Sequence, residues 1–168
     1  METKLGKGVI VGKNVQFGKD VVVWNYVVIC DDVKIGDGTR IGSFCDIGKG
    51  VSIGNNCNVQ AHVTISTGCK IGNNVFIGPN TTFLNDKFPR SRPLVPPTVE
   101  DNVIIGGGVI ILPDVTIHKD SVIAAGSIVT KDVQPRVVVR GFPAKIMMTK
   151  EEYEEKRKAF MESKQHNT

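Results

Sequence analysis

The chain has 168 residues, of which 40% are hydrophobic and 6% aromatic, and its formal net charge is +4. That length suits one domain with an aliphatic core. The mild, scattered charge argues against a nucleic-acid footprint, which would be clustered and more basic, and fits a phosphate-bearing small molecule.

The start, Met1-Glu2-Thr3-Lys4-Leu5-Gly6, lacks the apolar stretch of a signal peptide. No apolar run approaches the ~18 residues of a membrane span. The expectation is a soluble cytoplasmic protein with reduced thiols and neither nucleic-acid nor membrane partners. From Leu5 the chain steps by six through Val11, Phe17, Val23, Ile29, Ile35, Ile41, Ile47, Ile53, Val59, Ile65, Ile71, Ile77 and Phe83. After a break the phase resumes at Val99, Ile105, Ile111, Ile117, Ile123 and Val129. Gly often follows the anchor, and four residues after it stands a small or β-branched residue. A period of six fits neither a 3.6-residue helix nor strand alternation. It fits a short strand plus a tight corner, with three units to a triangular coil. Twenty hexads make about 6.7 coils, a prism on the order of 32 Å tall at roughly 4.8 Å per coil.

The cysteines fall into this frame. Cys45, Cys57 and Cys69 occupy the small inward position and read as buried spacers. Cys30 follows an anchor and also reads as packing. No CxxC pair and no Cys/His spacing suits zinc, so no metal is expected.

The pattern [Ile/Leu/Val]-Gly-x-x-[small]-x resembles the hexapeptide-repeat acyltransferases over about residues 5 to 146. The predicted fold is all-β: a left-handed parallel β-helix of hexapeptide repeats, with one extended loop and a short C-terminal α-helix. The left hand comes from the resemblance; the stacking comes from the period.

Phe83 and Val99 lie sixteen apart, so ten residues are inserted, in a loop at about 84–98. Pro89, Pro93, Pro96 and Pro97 make it an extended, semi-rigid arm. In a solenoid, insertions gather on the binding face; the plain alternative is a tolerated surface loop. Stepping by eighteen reads the columns. Tyr26, Phe44, His62 and Asn80 share one corner, which continues through Gly108 and Gly126. The adjoining column is Trp24, Gly42, Gln60, Gly78. Trp24 stands where Gly is usual, which marks either a sugar or base platform or a subunit contact.

Past the last anchor, Val133-Gln134-Pro135-Arg136 ends the final hexad and Arg140-Gly141-Phe142-Pro143-Ala144-Lys145 reads as a turn. Thr149-Lys150-Glu151-Glu152 reads as a capping box opening a charged helix to about Ser163. That helix is expected to cap the open end of the stack and to contact neighbours, before a loose tail Gln165-His166-Asn167-Thr168. The organisation is a β-helix over 1–146 and a helix with tail over 147–168.

Trp24-Asn25-Tyr26, Val59-Gln60-Ala61-His62-Val63, Ile77-Gly78-Pro79, the run from Phe83 to Ser91, and Gly141-Phe142-Pro143-Ala144-Lys145 are similar to one subgroup, the nucleotide-sugar N-acetyltransferases of surface-polysaccharide (lipopolysaccharide) biosynthesis. These acetylate the 3-amino group of UDP- or dTDP-linked amino sugars. The chain keeps the pattern at Trp24, Gln60, Phe83, Asn85, Pro89 and Arg90 and departs from it at Asn25, Ala61-His62, Leu84 and Asp86. The resemblance implies acetyl-CoA as co-substrate, a homotrimer with active sites between subunits, and a loop that reaches the next chain. It makes Asn85 the residue that orients the amine. Asp86 would attract the ammonium form and accept its proton, and His62 is either a base or a surface or interface histidine. A neutral amine needs no strong base. Backbone near Gly107, Gly108 and Ala125 would hold the thioester oxygen and pantetheine amides. Lys131, Arg140 and Lys145 would meet the CoA phosphates, with Pro143 against adenine. Lys87 and Arg90 would meet the substrate diphosphate or a sugar carboxylate, and Trp24, Tyr26, Gln60 and Asn80 the rest of the acceptor.

Three alternatives stand beside this reading. Sugar O-acetyltransferases of the same fold use a loop His where this chain has Leu84-Asn85-Asp86. A γ-class carbonic anhydrase needs three His ligands, and His62, His118 and His166 are far apart along the stack. A non-catalytic scaffold prism would not need the Gly-lined corner.

Overall fold

Each hexad folds into a two-residue strand and a corner, and the reason is local. The anchor points inward and its predecessor outward, as a pleat requires. The next residues then turn, and the small residue tucks under the corner. The computed structural model describes residues 3–90 and 92–165. Ser91 of the expected arm, His166 and the rest of the expected tail, and Met1-Glu2 lie outside the described residues.

Twenty two-residue strands run from Lys4–Leu5 to Ile128–Val129 and stack into three parallel sheets. The first sheet holds Val22–Val23, Arg40–Ile41, Asn58–Val59, Phe76–Ile77, Ile104–Ile105 and Val122–Ile123; the second runs from Ile10–Val11 to Ile128–Val129, and the third from Gln16–Phe17 to Thr116–Ile117. Below the insertion, paired residues differ by eighteen, as in Val22 with Arg40, and across it by twenty-eight, as in Lys70 with Thr98. The ladder is continuous: Val22 N–H donates to the Thr39 carbonyl at 3.0 Å, and Gly78 N–H to the Ile105 carbonyl at 2.7 Å.

The anchors from Val23 to Val129 are buried, Phe83 completely. Truncating so large a buried ring costs about 3–5 kcal/mol. The spacer column is equally buried, and where it is polar it is satisfied. Thr39 Oγ1 donates to the Gly54 carbonyl at 2.7 Å and accepts from Cys57 N–H at 3.0 Å. Thr81, Ser121 and Ser127 donate to carbonyls in the same way. Cys45, Cys57 and Cys69 are buried spacers as expected. Burial pushes the Cys45 thiol up to about 11 and the Cys69 thiol to about 12.

The ladder also locates the insertion. Val95 takes the place of Thr67 one coil down, because Asp114 N–H donates to the Val95 carbonyl as Gly68 N–H does to that of Lys49. Lys70 N–H likewise donates to the Pro97 carbonyl. The inserted residues are therefore 85–94, and Pro96 and Pro97 belong to the restored corner. Only Pro89 and Pro93 stiffen the arm itself.

At the C-terminal end Val137–Arg140 joins the first sheet and Lys145–Thr149 pairs with it antiparallel. Thr149 and Glu152 form the expected capping box, each side chain accepting the other's backbone N–H, and the helix Lys150–Gln165 follows. The helix packs against the two strands of this hairpin, and residues 155–164 are exposed. This differs from the expected cap over the open end. A helix with charges on every side has no apolar face to lay on the last coil.

Candidate active site

Three corners separate the sheets, and their residues differ sharply. The third corner, between the third and first sheets, carries Asp20, Gly38, Asn56, Asn74, Asn102 and Asp120, all with positive φ. Asn, Asp and Gly tolerate that left-handed conformation best. The first corner, between the first and second sheets, carries Gly8, Tyr26, Phe44, His62, Asn80, Gly108 and Gly126 in the same conformation. Rings in that backbone state are unusual, yet Tyr26 and Phe44 stack at 5.4 Å, and Phe44 and His62 at 4.9 Å. The ladder rests on Gly8, where a Cβ would lie 2.6 Å from the Tyr26 ring. Tyr26 remains 47% exposed and Phe44 53%, so burial does not offset the strain.

The residue before each turn residue sharpens the contrast. On the third corner its N–H is capped by a side chain from the next coil: Lys19 by Asp37, Asp37 by Asn55, Asn55 by Asn73 and Asn73 by Asp101, all at 2.7–2.8 Å. On the first corner the capping runs only through Lys7, held by Asn25, and Asn25, held by Ser43. Above that, among the described residues, the N–H groups of Ser43, Ala61, Gly107 and Ala125 have no hydrogen-bond partner in the protein. Gly108 is among the expected donors, but its N–H is spent on the Pro79 carbonyl at 2.8 Å. A Cβ at Gly108 or Gly126 would meet nothing within 4 Å, so the backbone there lies open.

The C-terminal turn closes the same corner. Ile128 N–H donates to the Gly141 carbonyl, and Ala144 N–H to the Ile128 carbonyl. This seats the turn over Gly126 and brings Arg140, Pro143 and Lys145 together, with Arg140 opposite Lys145 in the hairpin register. Beside Ala125, Gly106 and Ala124 open onto an apolar groove of about 300 Å³ walled by Met147, Met148 and Tyr153. Lower on the first sheet, Trp24, Arg40, Asn58 and Gln60 surround a concavity of about 340 Å³ floored by Gly42. Sequence reasoning missed Arg40, Asn58 and the methionines as site residues, and gave Phe44 no role beyond its column. The outward column Arg40–Asn58 was readable by stepping eighteen from Val22.

The remaining expected residues lie elsewhere. The arm leaves the second corner, between the second and third sheets, with Asn85, Asp86, Lys87 and Arg90. Lys131 sits on that corner too, apart from Arg140 and Lys145. Within one chain the structure therefore separates Asn85 and Asp86 from His62 by the width of the second sheet. Asn85 is half-buried, and its Nδ2 donates to the Thr67 carbonyl at 3.0 Å, anchoring the arm. Lys87 Nζ lies 2.6 Å from Asp114 Oδ2, so its charge is already paired. His118 sits at the start of the third corner with Nδ1 3.1 Å from Glu100 Oε1, remote from His62. Among the described residues no group of three His, Cys, Asp or Glu side chains is placed to hold a metal ion. None of the described helices is long and apolar enough to cross a membrane.

A parallel prism of stacked six-residue repeats is the architecture of a hexapeptide-repeat transferase. The family model "Bacterial transferase hexapeptide (six repeats)" matches residues 14–49, 32–67, 50–85 and 96–131, more than half of the chain and all but the arm between them. The chain belongs to that family, whose coil is left-handed. Over 83 residues it is 43% identical to galactoside O-acetyltransferase of Escherichia coli, covering 45% of this chain and 41% of that protein. Over 57 residues it is 51% identical to 2,3,4,5-tetrahydropyridine-2,6-dicarboxylate N-acetyltransferase of Clostridium perfringens, covering 34% and 24%. The chain spans about two fifths of the length of the curated relatives it matches first. Its fold is like that of the N-acyltransferase AntD of Bacillus cereus, solved with dTDP-4-amino-4,6-dideoxyglucose and coenzyme A: TM-score 0.65 at 21% identity, covering 95% of this chain and 91% of that one.

Proposed function

We propose that the chain is an acetyl-CoA-dependent N-acetyltransferase acting on the amino group of a nucleotide-linked amino sugar, carried by UDP or dTDP. The observation that carries this reading is the row of uncapped N–H groups on the first corner. Gly107 and Ala125 offer donors to a thioester oxygen that gains charge during attack, and fixed donors of this kind commonly supply the greater part of the rate gain in acyl transfer. Above them Arg140 and Lys145 suit phosphates and Pro143 an adenine face. The apolar groove beside Ala125 suits the pantetheine arm.

In the reaction the neutral amine attacks the thioester carbonyl carbon. The C–N bond forms, the C–S bond breaks, CoA leaves as thiolate, and the amine proton passes to a base or to solvent. His62, exposed on this corner, is the base candidate. Asn85 holds the arm, and Asp86 and Arg90 ride on it. Because arm and corner lie on different edges, the complete site requires a second copy, and we assign the chain a homotrimer whose arm meets the next chain's first corner. Two inactive variants, His62→Ala and Asn85→Ala, would then restore about a quarter of the sites when mixed one to one and reassembled. Persistent inactivity of the mixture would sink the shared site.

The second reading is sugar O-acetyltransfer. It is favoured by the match to a galactoside O-acetyltransferase and by His62, since a hydroxyl must lose its proton during attack. Acetyl-CoA consumption over a panel of nucleotide 3-amino, 4-amino and hydroxyl sugars decides between them. Turnover of amine acceptors is expected; turnover of hydroxyl acceptors alone overturns the first reading.

A further inference from the structure

The two ends of the prism differ as much as its corners do. At the C-terminal end every sheet is closed. The hairpin of Val137–Arg140 and Lys145–Thr149 extends the first sheet. Ile128 N–H of the second donates to the Gly141 carbonyl, and Val133 bridges Ile117 of the third. At the opposite end the sheets stop at Lys4–Leu5, Ile10–Val11 and Gln16–Phe17, each a terminal strand. Leu5 is 49% exposed there and Val11 39%, and Val9, Val15 and Phe17 are half-buried. Every anchor from Val23 to Val129 is buried. A solenoid ordinarily closes such an end with a repeat that is polar on its outer face.

Here a rim of charge surrounds the open end instead. Lys7, Lys13 and Lys19 stand at the same place in three successive hexads, so each corner of the first coil carries one. Lys4 adds a fourth on the first sheet. No other coil has a lysine at all three of these places. All four lysines are exposed, and among the described residues none is ion-paired. Residues 3–20 hold these four positive charges against Asp20 alone, a formal surplus of three where the whole chain has four. The carboxylates one coil up are engaged. Asp31 and Asp37 hold the N–H groups of Lys13 and Lys19, and Asp32 is paired with Lys49.

An apolar end inside a basic rim decides among occupants. A second copy set base to base would bring like charges together. A peptide strand added to one of these edges would gain main-chain bonds from only two residues. A plane that is anionic at its surface and apolar beneath matches both parts at once. We propose that the open N-terminal end of the prism is a docking face for an anionic membrane surface. Lys4, Lys7, Lys13 and Lys19 meet the lipid phosphates, and Leu5, Val11 and Phe17 meet the boundary of the acyl chains. The contact is peripheral and involves no membrane span. It draws on none of the residues used for acetyl transfer.

Co-sedimentation of the full chain with vesicles of phosphatidylglycerol or of phosphatidylcholine, without acetyl-CoA, tests it. Phosphatidylglycerol is expected to bind at least about tenfold more tightly, since each lysine near an anionic surface contributes about fivefold. The preference should vanish as the screening length shortens from about 10 Å at 0.1 M salt to about 3 Å at 1 M. The triple variant Lys7→Gln, Lys13→Gln and Lys19→Gln, checked for an unchanged melting transition, is expected to bind about a hundredfold more weakly, three such factors together. Leu5→Ser is expected to weaken binding and to keep its salt dependence. Equal binding to both vesicles, no binding to phosphatidylglycerol, or full binding by the lysine variant overturns the proposal. So does light scattering that shows a doubled assembly mass which Leu5→Ser halves, because a second copy then covers the end. The fate of the face separates from that of the proposed function. Acetylation of an amino sugar without vesicle binding removes the docking face and leaves the activity. Vesicle binding without acetylation does the reverse.

Discussion

The first and third corners share one backbone conformation and almost nothing else. The third is a ladder of caps from Lys19 to Asn73, in which each N–H is held by the Asp or Asn one coil above. The first gives up those caps from Ser43 upward and places rings, then bare glycine, on the same left-handed turns. Equal geometry with different side chains separates what the coil needs from what a ligand needs. The coil needs a residue that tolerates positive φ. It does not need Tyr26, Phe44 or His62, and uncapped donors only weaken it.

The largest test makes the first corner like the third. His62→Asn is expected to keep or raise the melting temperature, because Asn suits the turn, while acetyl transfer falls by about a hundredfold or more if His62 is the base. Equal turnover in the variant would return His62 to the scaffold. Next comes the interior that both corners share. Thr39→Val removes a hydroxyl that serves a carbonyl and an N–H at once, and urea unfolding should register a loss of about 1–3 kcal/mol. On the third corner, Asn74→Ala combines the left-handed penalty with loss of the contact to Asn102, for an expected loss of about 1–2 kcal/mol and unchanged turnover.

A further effect on the shared interior is tied to pH. Cys45 and Cys69 have folded pKa values raised to about 11 and about 12 from 9.0, so their contribution is fully present below pH 9 and is lost as pH rises through the folded values. Stability measured from pH 8 to pH 12 should fall, and Cys69→Ala should flatten that fall. Smallest is the exposed Lys87–Asp114 pair: Lys87→Met should change stability by less than about 1 kcal/mol. A larger loss would mean that the arm braces the prism.

The prism was legible because its code is redundant. Leu5 to Phe83 repeats one instruction without a miss, and Ile105 to Val129 resumes it in phase. The eighteen-residue columns also predicted which residues share a corner, and Tyr26, Phe44 and His62 indeed stack. What failed was placement across corners. Asn85 follows Asn80 closely in sequence, yet the second sheet's strand Thr82–Phe83 lies between them. Counting along the chain measures height on the prism well and position around it only when the strand is included. The helix was legible as a helix from Thr149 and Glu152, but its docking was not, because a charged sequence without an apolar stripe specifies no partner surface.

The restored register after the arm carries a last consequence. Val95, Pro96 and Pro97 re-enter the corner with the coil-to-coil ladder intact on both sides, and the ten residues between are tied on through Asn85, to Thr67 and Val95, and through Lys87, to Asp114. The arm is in effect an interchangeable fitting. Joining Leu84 directly to Val95 keeps the coil-to-coil ladder and gives up the bonds that the arm makes to Val95, Thr67 and Asp114. Under the proposed function, acceptor choice is then open to rewriting on the arm while the folding instructions of the prism stay untouched.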